Sequence, residues 1–221
     1  AMLAKLSATD GTPEWIQGTL PDTVVQFQFF NWLNVLVDND QLVVLGAALI
    51  DLNLPTQRSL VLLAKYDLDG TLLWSKSYDA VLGASDIVAL PDGYAIFGAT
   101  LGKAWSLLKV DKDGNVLGAR KITAPATGNS YSFTRQNQLL RLPKHLLMLD
   151  FFKAGEYTDL ALIKTDYDLN TDDSCGLFQP LQVVVEARAS KTRPISAVFQ
   201  PYAVTALNQQ ATFQIDSLNI R

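Results

Sequence analysis

Histidine, cysteine and clustered positive charge are scarce in this chain, and each shortage closes a class of function. His145 is the single histidine in 221 residues, so a His-rich metal site is excluded and any catalytic triad would depend on that one ring. Cys175 stands alone. It rules out an internal disulfide and a multi-cysteine metal site, and leaves only pairing with a residue outside the chain. Lys and Arg number 18 against 22 Asp and Glu, for a formal charge of −4, and no basic cluster occurs. A nucleic-acid partner, which needs grouped cations to displace counterions, is therefore not expected. No run approaches the ~20 apolar residues of a spanning helix, and the first residues lack the basic region and cleavage site of a signal peptide. Convincing helical periodicity is missing as well. With 48% hydrophobic and 18% charged residues, the chain is globular and long enough for a substantial core.

What is present is repetition. LLKVDKDGNVLG at Leu107 to Gly118 recurs as LAKYDLDGTLLW at Leu63 to Trp74 and as LAKLSATDGTPEW at Leu3 to Trp15. A degraded copy, LIKTDYDLNTDDSCG, begins at Leu162. Each copy reads as a strand, an acidic turn with Gly, and a return strand. A second element aligns upstream of the hairpin: LPDGYAIFG at 90–98 matches LPKHLLMLD at 142–150 and VDNDQLVVLG at 37–46. The pattern predicts strands at Thr23 to Phe30, Leu33 to Asp38, Leu42 to Ile50, Ser59 to Tyr78 as a hairpin, Ser85 to Leu90, Tyr94 to Thr100, Ala104 to Asp111 and Asn115 to Thr123. Gln138 to Leu142, Leu146 to Phe152 and Thr158 to Asp166 repeat the meander. After Cys175 the grammar stops. Leu181 to Arg188, Ile195 to Ala206 and Thr212 to Ile220 still read as strands, which complete the last unit or begin a linked β domain.

The repeat lysines Lys5, Lys65, Lys109 and Lys164 lie 60, 44 and 55 residues apart. Periods of this size with about four strands each are those of propeller blades. The expected fold is all-β, a β-propeller-like array of three to four four-stranded antiparallel blades over 1–175, with an additional β segment over 176–221. The motif W-x-K-x-Y, then D-I-V-x-L-x-D-G-Y-x-I-x-G, then L-x-K-x-D-x-x-G-N, read from Trp74 to Asn115, resembles the blade repeats of bacterial secreted and surface-associated β-propeller proteins. That resemblance spans about residues 3–175. It implies a propeller fold and an extracellular or cell-surface setting, and these repeats are not tied to one activity. The units are too few for the commoner seven-bladed ring, which leaves a segment of a larger propeller or a partial one completed by another chain.

Candidate sites are weighed against structural readings. Asp166, Asp168, Asn170 and Asp172 place oxygen donors at alternate positions, as the start of a calcium loop does. Thr171 stands where that loop needs Gly, and Leu177 where it needs Glu, so a solvated hairpin tip is the competing account. Asp67/Asp69 and Asp111/Asp113 recur from unit to unit, which points to turn chemistry, since catalysis needs one constellation and not one per repeat. His145 falls at a turn, and Cys175 has no visible activating partner. No catalytic set emerges. Trp105 and Tyr157, beside the loops 101–103 and 153–156, are the aromatics singled out for stacking on a sugar or peptide, with core packing as the alternative. The reading at this level is a non-catalytic interaction or structural module with a protein or glycan partner, adhesion being one such role. The alternative is a carbohydrate-binding or carbohydrate-processing propeller. No cofactor is expected beyond possible calcium, and the partner is a homo-oligomer or the remainder of a longer chain.

Overall fold

The computed structural model describes residues 2–20, 27–50, 58–79, 84–99, 104–123, 138–154, 157–171, 178–187 and 191–194. The predicted strands at 195–206 and 212–220, like Asp172 and Cys175, lie outside them. The described residues are all-β and form four antiparallel sheets, with no closed barrel or propeller arrangement among them.

The first sheet holds the hairpin β1 (Met2–Leu6) and β2 (Pro13–Leu20). The second is a meander of β3 (Phe27–Asp38), β4 (Gln41–Ile50), β5 (Arg58–Asp67) and β6 (Leu72–Asp79). The third repeats it with β7 (Asp86–Ala89), β8 (Gly93–Ala99), β9 (Ala104–Asp111) and β10 (Val116–Thr123). β11 (Gln138–Arg141), β12 (His145–Ala154) and β13 (Tyr157–Asp166) make the fourth. The two strands expected between 23 and 38 are one within the described residues. β3 runs through Asn31 to Leu33 because a bulge between Trp32 and Asn34 absorbs the break in alternation.

The segment after the repeats adds outer strands. β14 (Phe178–Pro180), β15 (Val184–Ala187) and β16 (Lys191–Pro194) pair antiparallel with β10, β6 and β2 respectively. Having made the fourth sheet, the chain thus runs back across the outer edges of the third, second and first.

Apolar residues on both faces of the meanders explain the packing. Val61 and Leu63 of β5 pack with Tyr94, Ile96, Leu108 and Val110 in a core between the second and third sheets. The opposite face of the third sheet, with Phe97, Trp105 and Leu107, packs on Leu139, Leu146 and Met148 of the fourth. Leu3 of β1 contributes to a smaller cluster with Val44, Ala64 and Tyr66. Each side chain fully buried in this way stabilises the fold by roughly 1.5–3 kcal/mol. Continuous apolar runs such as LVLLAKY follow from this two-sided burial, since a strand covered on both faces has no reason to alternate.

Candidate functional site

The acidic hairpin tips are the most conspicuous polar feature, and their geometry is local. Asp67 accepts hydrogen bonds from the backbone N–H of Asp69 (3.0 Å) and Thr71 (2.7 Å). Asp111 does the same with Asp113 (2.9 Å) and Asn115 (2.7 Å), and Asp166 with Asp168 (2.9 Å) and Asn170 (2.7 Å). The residue three positions on takes positive φ in each tip: Gly70 at 84°, Gly114 at 76° and Leu169 at 63°. The first aspartate of every tip is therefore a turn cap. Donation from the Thr71 backbone holds the Asp67 carboxyl below its usual range. At Asp111 burial pushes the pKa up, but donation from Asn115 and Asp113 outweighs it and the net direction is down.

The tips also form the joints between sheets. Trp15, Trp74 and Gly118 occupy one repeat position, opposite Lys5, Lys65 and Lys109 in their hairpins. Trp15 lies over the tip of the second sheet, where a Cβ on Gly70 would stand 2.9 Å from its ring, and its Nε1 donates to the Leu68 carbonyl at 2.9 Å. Trp74 lies over Gly114, where a Cβ would stand 3.0 Å from its ring, and Tyr78 donates its buried hydroxyl to the Gly114 carbonyl at 2.8 Å. At the third joint the sizes are exchanged: Leu169 fills the tip, and the position facing it is Gly118, whose Cβ would sit 3.7 Å from Leu169 Cδ1. Large against small is preserved.

Lysines run along the same joints. Lys65 donates to the Lys112 carbonyl in the tip of the third sheet (3.3 Å), and Lys109 reaches Asp168 in the tip of the fourth (3.1 Å) as well as Asp92 (2.7 Å). Burial would push the Lys109 ammonium down, but the two carboxylates outweigh it and hold the pKa above the ordinary lysine value. Lys5 pairs with Glu14 at 2.6 Å and feels the charge of Asp69 in the second tip. Two further aspartates link sheets: Asp38 of the second sheet accepts from Tyr94 (2.8 Å) and Lys112 (2.6 Å) of the third. Asp86 accepts from Asn34 of the second sheet (2.6 Å) and from the Leu139 backbone of the fourth (2.8 Å). Asp38, Asp86 and Tyr94 were not legible as a group, because they are far apart in sequence and sit in strands, not in the acidic tips.

The sequence candidates fall as follows. Trp105 is 6% exposed, lies in the core between the third and fourth sheets and donates its Nε1 to Asp150. That is a packing role. Tyr157 opens β13 opposite Ala154, and its side chain lies outside the described residues. Asp166, Asp168 and Asn170 share one tip but do not converge: Asp166 caps the turn, Asn170 donates its amide to Asp166 (3.3 Å), and Asp168 turns to Lys109. Among the described residues no group of three or more His, Cys, Asp and Glu has the arrangement of a metal site. His145 begins β12 and lines an open cleft of about 450 Å³ with Lys164, Thr165, Asp166, Asn170 and Thr171.

Comparisons with protein-family models, curated proteins and solved structures find no match to this chain. Chemically, the described polar groups act on one another: carboxylates cap turns and pair with lysines across joints. On the fourth sheet, His145, Lys164, Asn170 and Thr171 line an open cleft beside the tip.

Proposed function

We propose that the chain is a non-catalytic structural or interaction module of a secreted or cell-surface protein, built on stacked propeller-type blades. The observation that carries this is the repetition of one joint. Lys65 and Lys109, and Trp15 and Trp74, hold sheet on sheet in successive units, while Asp67, Asp111 and Asp166 cap the turns they join to, so these residue types, which could carry acid/base chemistry, are committed to structure. The blade reading draws on the four-strand meanders, their serial stacking and the resemblance of the Trp74 to Asn115 motif. It does not require ring closure.

The test is functional and direct. Purified protein incubated with polysaccharides, ester substrates and peptides is expected to leave all of them intact. Turnover that disappears on a single substitution, for example His145→Ala, would overturn the reading. Carbohydrate recognition through Trp105 is not carried forward, because the ring is buried against the fourth sheet.

A further inference from the structure

We infer that the outer face of the fourth sheet is a docking surface for the first hairpin of a second copy of this chain. The inference rests on the stacking-module reading and names the partner of its open end. It comes from comparing equivalent positions along the array. Leu107 and Lys109 of the third sheet are 0% and 4% exposed, because the fourth sheet covers them. Their repeat equivalents in the fourth sheet, Leu162 and Lys164, carry the same residue types, yet Leu162 is 64% exposed and Lys164 is exposed as well. Leu160, equivalent to the buried Trp105, is 56% exposed. Leu140 on the neighbouring β11 is exposed too. This is a face with a joint's composition and no joint made among the described residues.

The polar half of the joint is equally open. In the third sheet, Lys109 receives the incoming Asp168 of the next tip. At the same place in the fourth sheet lies the cleft lined by His145, Lys164, Asp166 and Asn170, which has the position of that socket and keeps its lysine. The matching tip is at the other end of the array. Gly11 of the first hairpin, at φ 72°, has nothing within 4 Å of the place where its Cβ would be, whereas Gly70 and Gly114 lie under tryptophans. Asp10 stands beside it, and Ala4 and Leu6 are exposed on that hairpin. An exposed lysine flanked by exposed leucines at one end and an uncovered acidic tip at the other are complementary ends of one chain. Contact between them is heterologous, so copies join head to tail and not face to face about a two-fold axis.

Sedimentation velocity and light scattering on the full chain test this with two variants at exposed positions, Leu162→Asp in the fourth sheet and Leu6→Asp in the first. Wild-type mass is expected to rise above the monomer with concentration. Each variant alone should stay monomeric with an unchanged melting temperature. An equimolar mixture of the two should form dimers and stop there, since the dimer uses the one intact end of each variant and leaves only the two substituted ends. Wild type that stays monomeric up to about 1 mM, the weakest affinity at which such a contact would register, overturns the inference. So does association of Leu6→Asp with itself, which would mean a symmetric contact between fourth sheets, or a loss of monomer stability in Leu162→Asp, which would mean that the chain covers this face itself. Failure of association leaves the module reading standing, whereas substrate turnover overturns that reading whatever the mass.

Discussion

Two glycines with nearly the same backbone conformation should respond very differently to the same substitution. Gly114 and Gly11 have φ of 76° and 72°. A Cβ at Gly114 would stand 2.8 Å from the Tyr78 hydroxyl and 3.0 Å from the Trp74 ring, while at Gly11 it would meet nothing within 4 Å. Alanine in the left-handed region costs roughly 1–2 kcal/mol at either site. At Gly114 the new methyl must also displace a buried tyrosine and a tryptophan that hold the joint between second and third sheets, adding about 1–3 kcal/mol of overpacking. Gly114→Ala should therefore lose about 2–5 kcal/mol and Gly11→Ala about 1–2. Urea unfolding followed by tryptophan fluorescence measures both, with the slope of the transition checked for constancy. Part of the excess should vanish in a Trp74→Ala background, where the ring that the added methyl would strike is gone. Losses that agree within about 0.5 kcal/mol, the limit of additivity for independent sites, would refute the claim that the tips are packed joints.

Two further outcomes follow from the polar contacts and the outer strands. The carboxyls of Asp38, Asp67, Asp92 and Asp111 are all held below their usual range. At Asp38 burial pushes upward but Lys112 and Tyr94 outweigh it, backbone donors lower Asp67, Lys109 lowers Asp92, and at Asp111 burial is again outweighed, by Asn115 and Asp113. Groups depressed in the folded state stabilise it above the unfolded carboxyl value near 3.9 and lose that contribution as pH falls through the folded values. The urea midpoint should be level down to about pH 5 and fall below about pH 4, and Asp38→Asn should flatten the fall; an unchanged acid slope in that variant would count against the assignment. The outer strand β15 pairs Val185 with Tyr78 and Glu186 with Ser77. Neighbouring N–H groups of a strand point to opposite sides, so one of Val185→Pro and Glu186→Pro must remove a ladder bond. Hydrogen exchange across residues 72–79 should rise in that variant while 104–111 stays protected; equal exchange in both variants and wild type would show that β15 adds nothing to the second sheet.

The all-β class, the strand meanders and the hairpin positions are determined by the sequence itself, because they follow from local periodicity and from Asp and Gly placed where a turn needs them. The tip aspartates could be recognised as structural from their recurrence alone. The joints were only half visible. The repeated lysines stand out at fixed positions, but that Lys109 ends on Asp168, and that Gly118 is small because Leu169 is large, depends on which tip faces which strand. Asp38 with Tyr94, and Asp86 spanning three sheets, likewise require strands distant in sequence to be brought to one place. Tertiary structure alone decided the fate of residues 178–187 and 191–194. The sequence reads as strand at Leu181 to Arg188 and not at 178–180 or 191–194, and nothing local tells a strand which open edge to join, since backbone pairing is nearly blind to sequence. It also decided that Trp105 is buried while Leu162 is exposed: two apolar residues on equivalent faces, separated by whether a neighbouring sheet covers them.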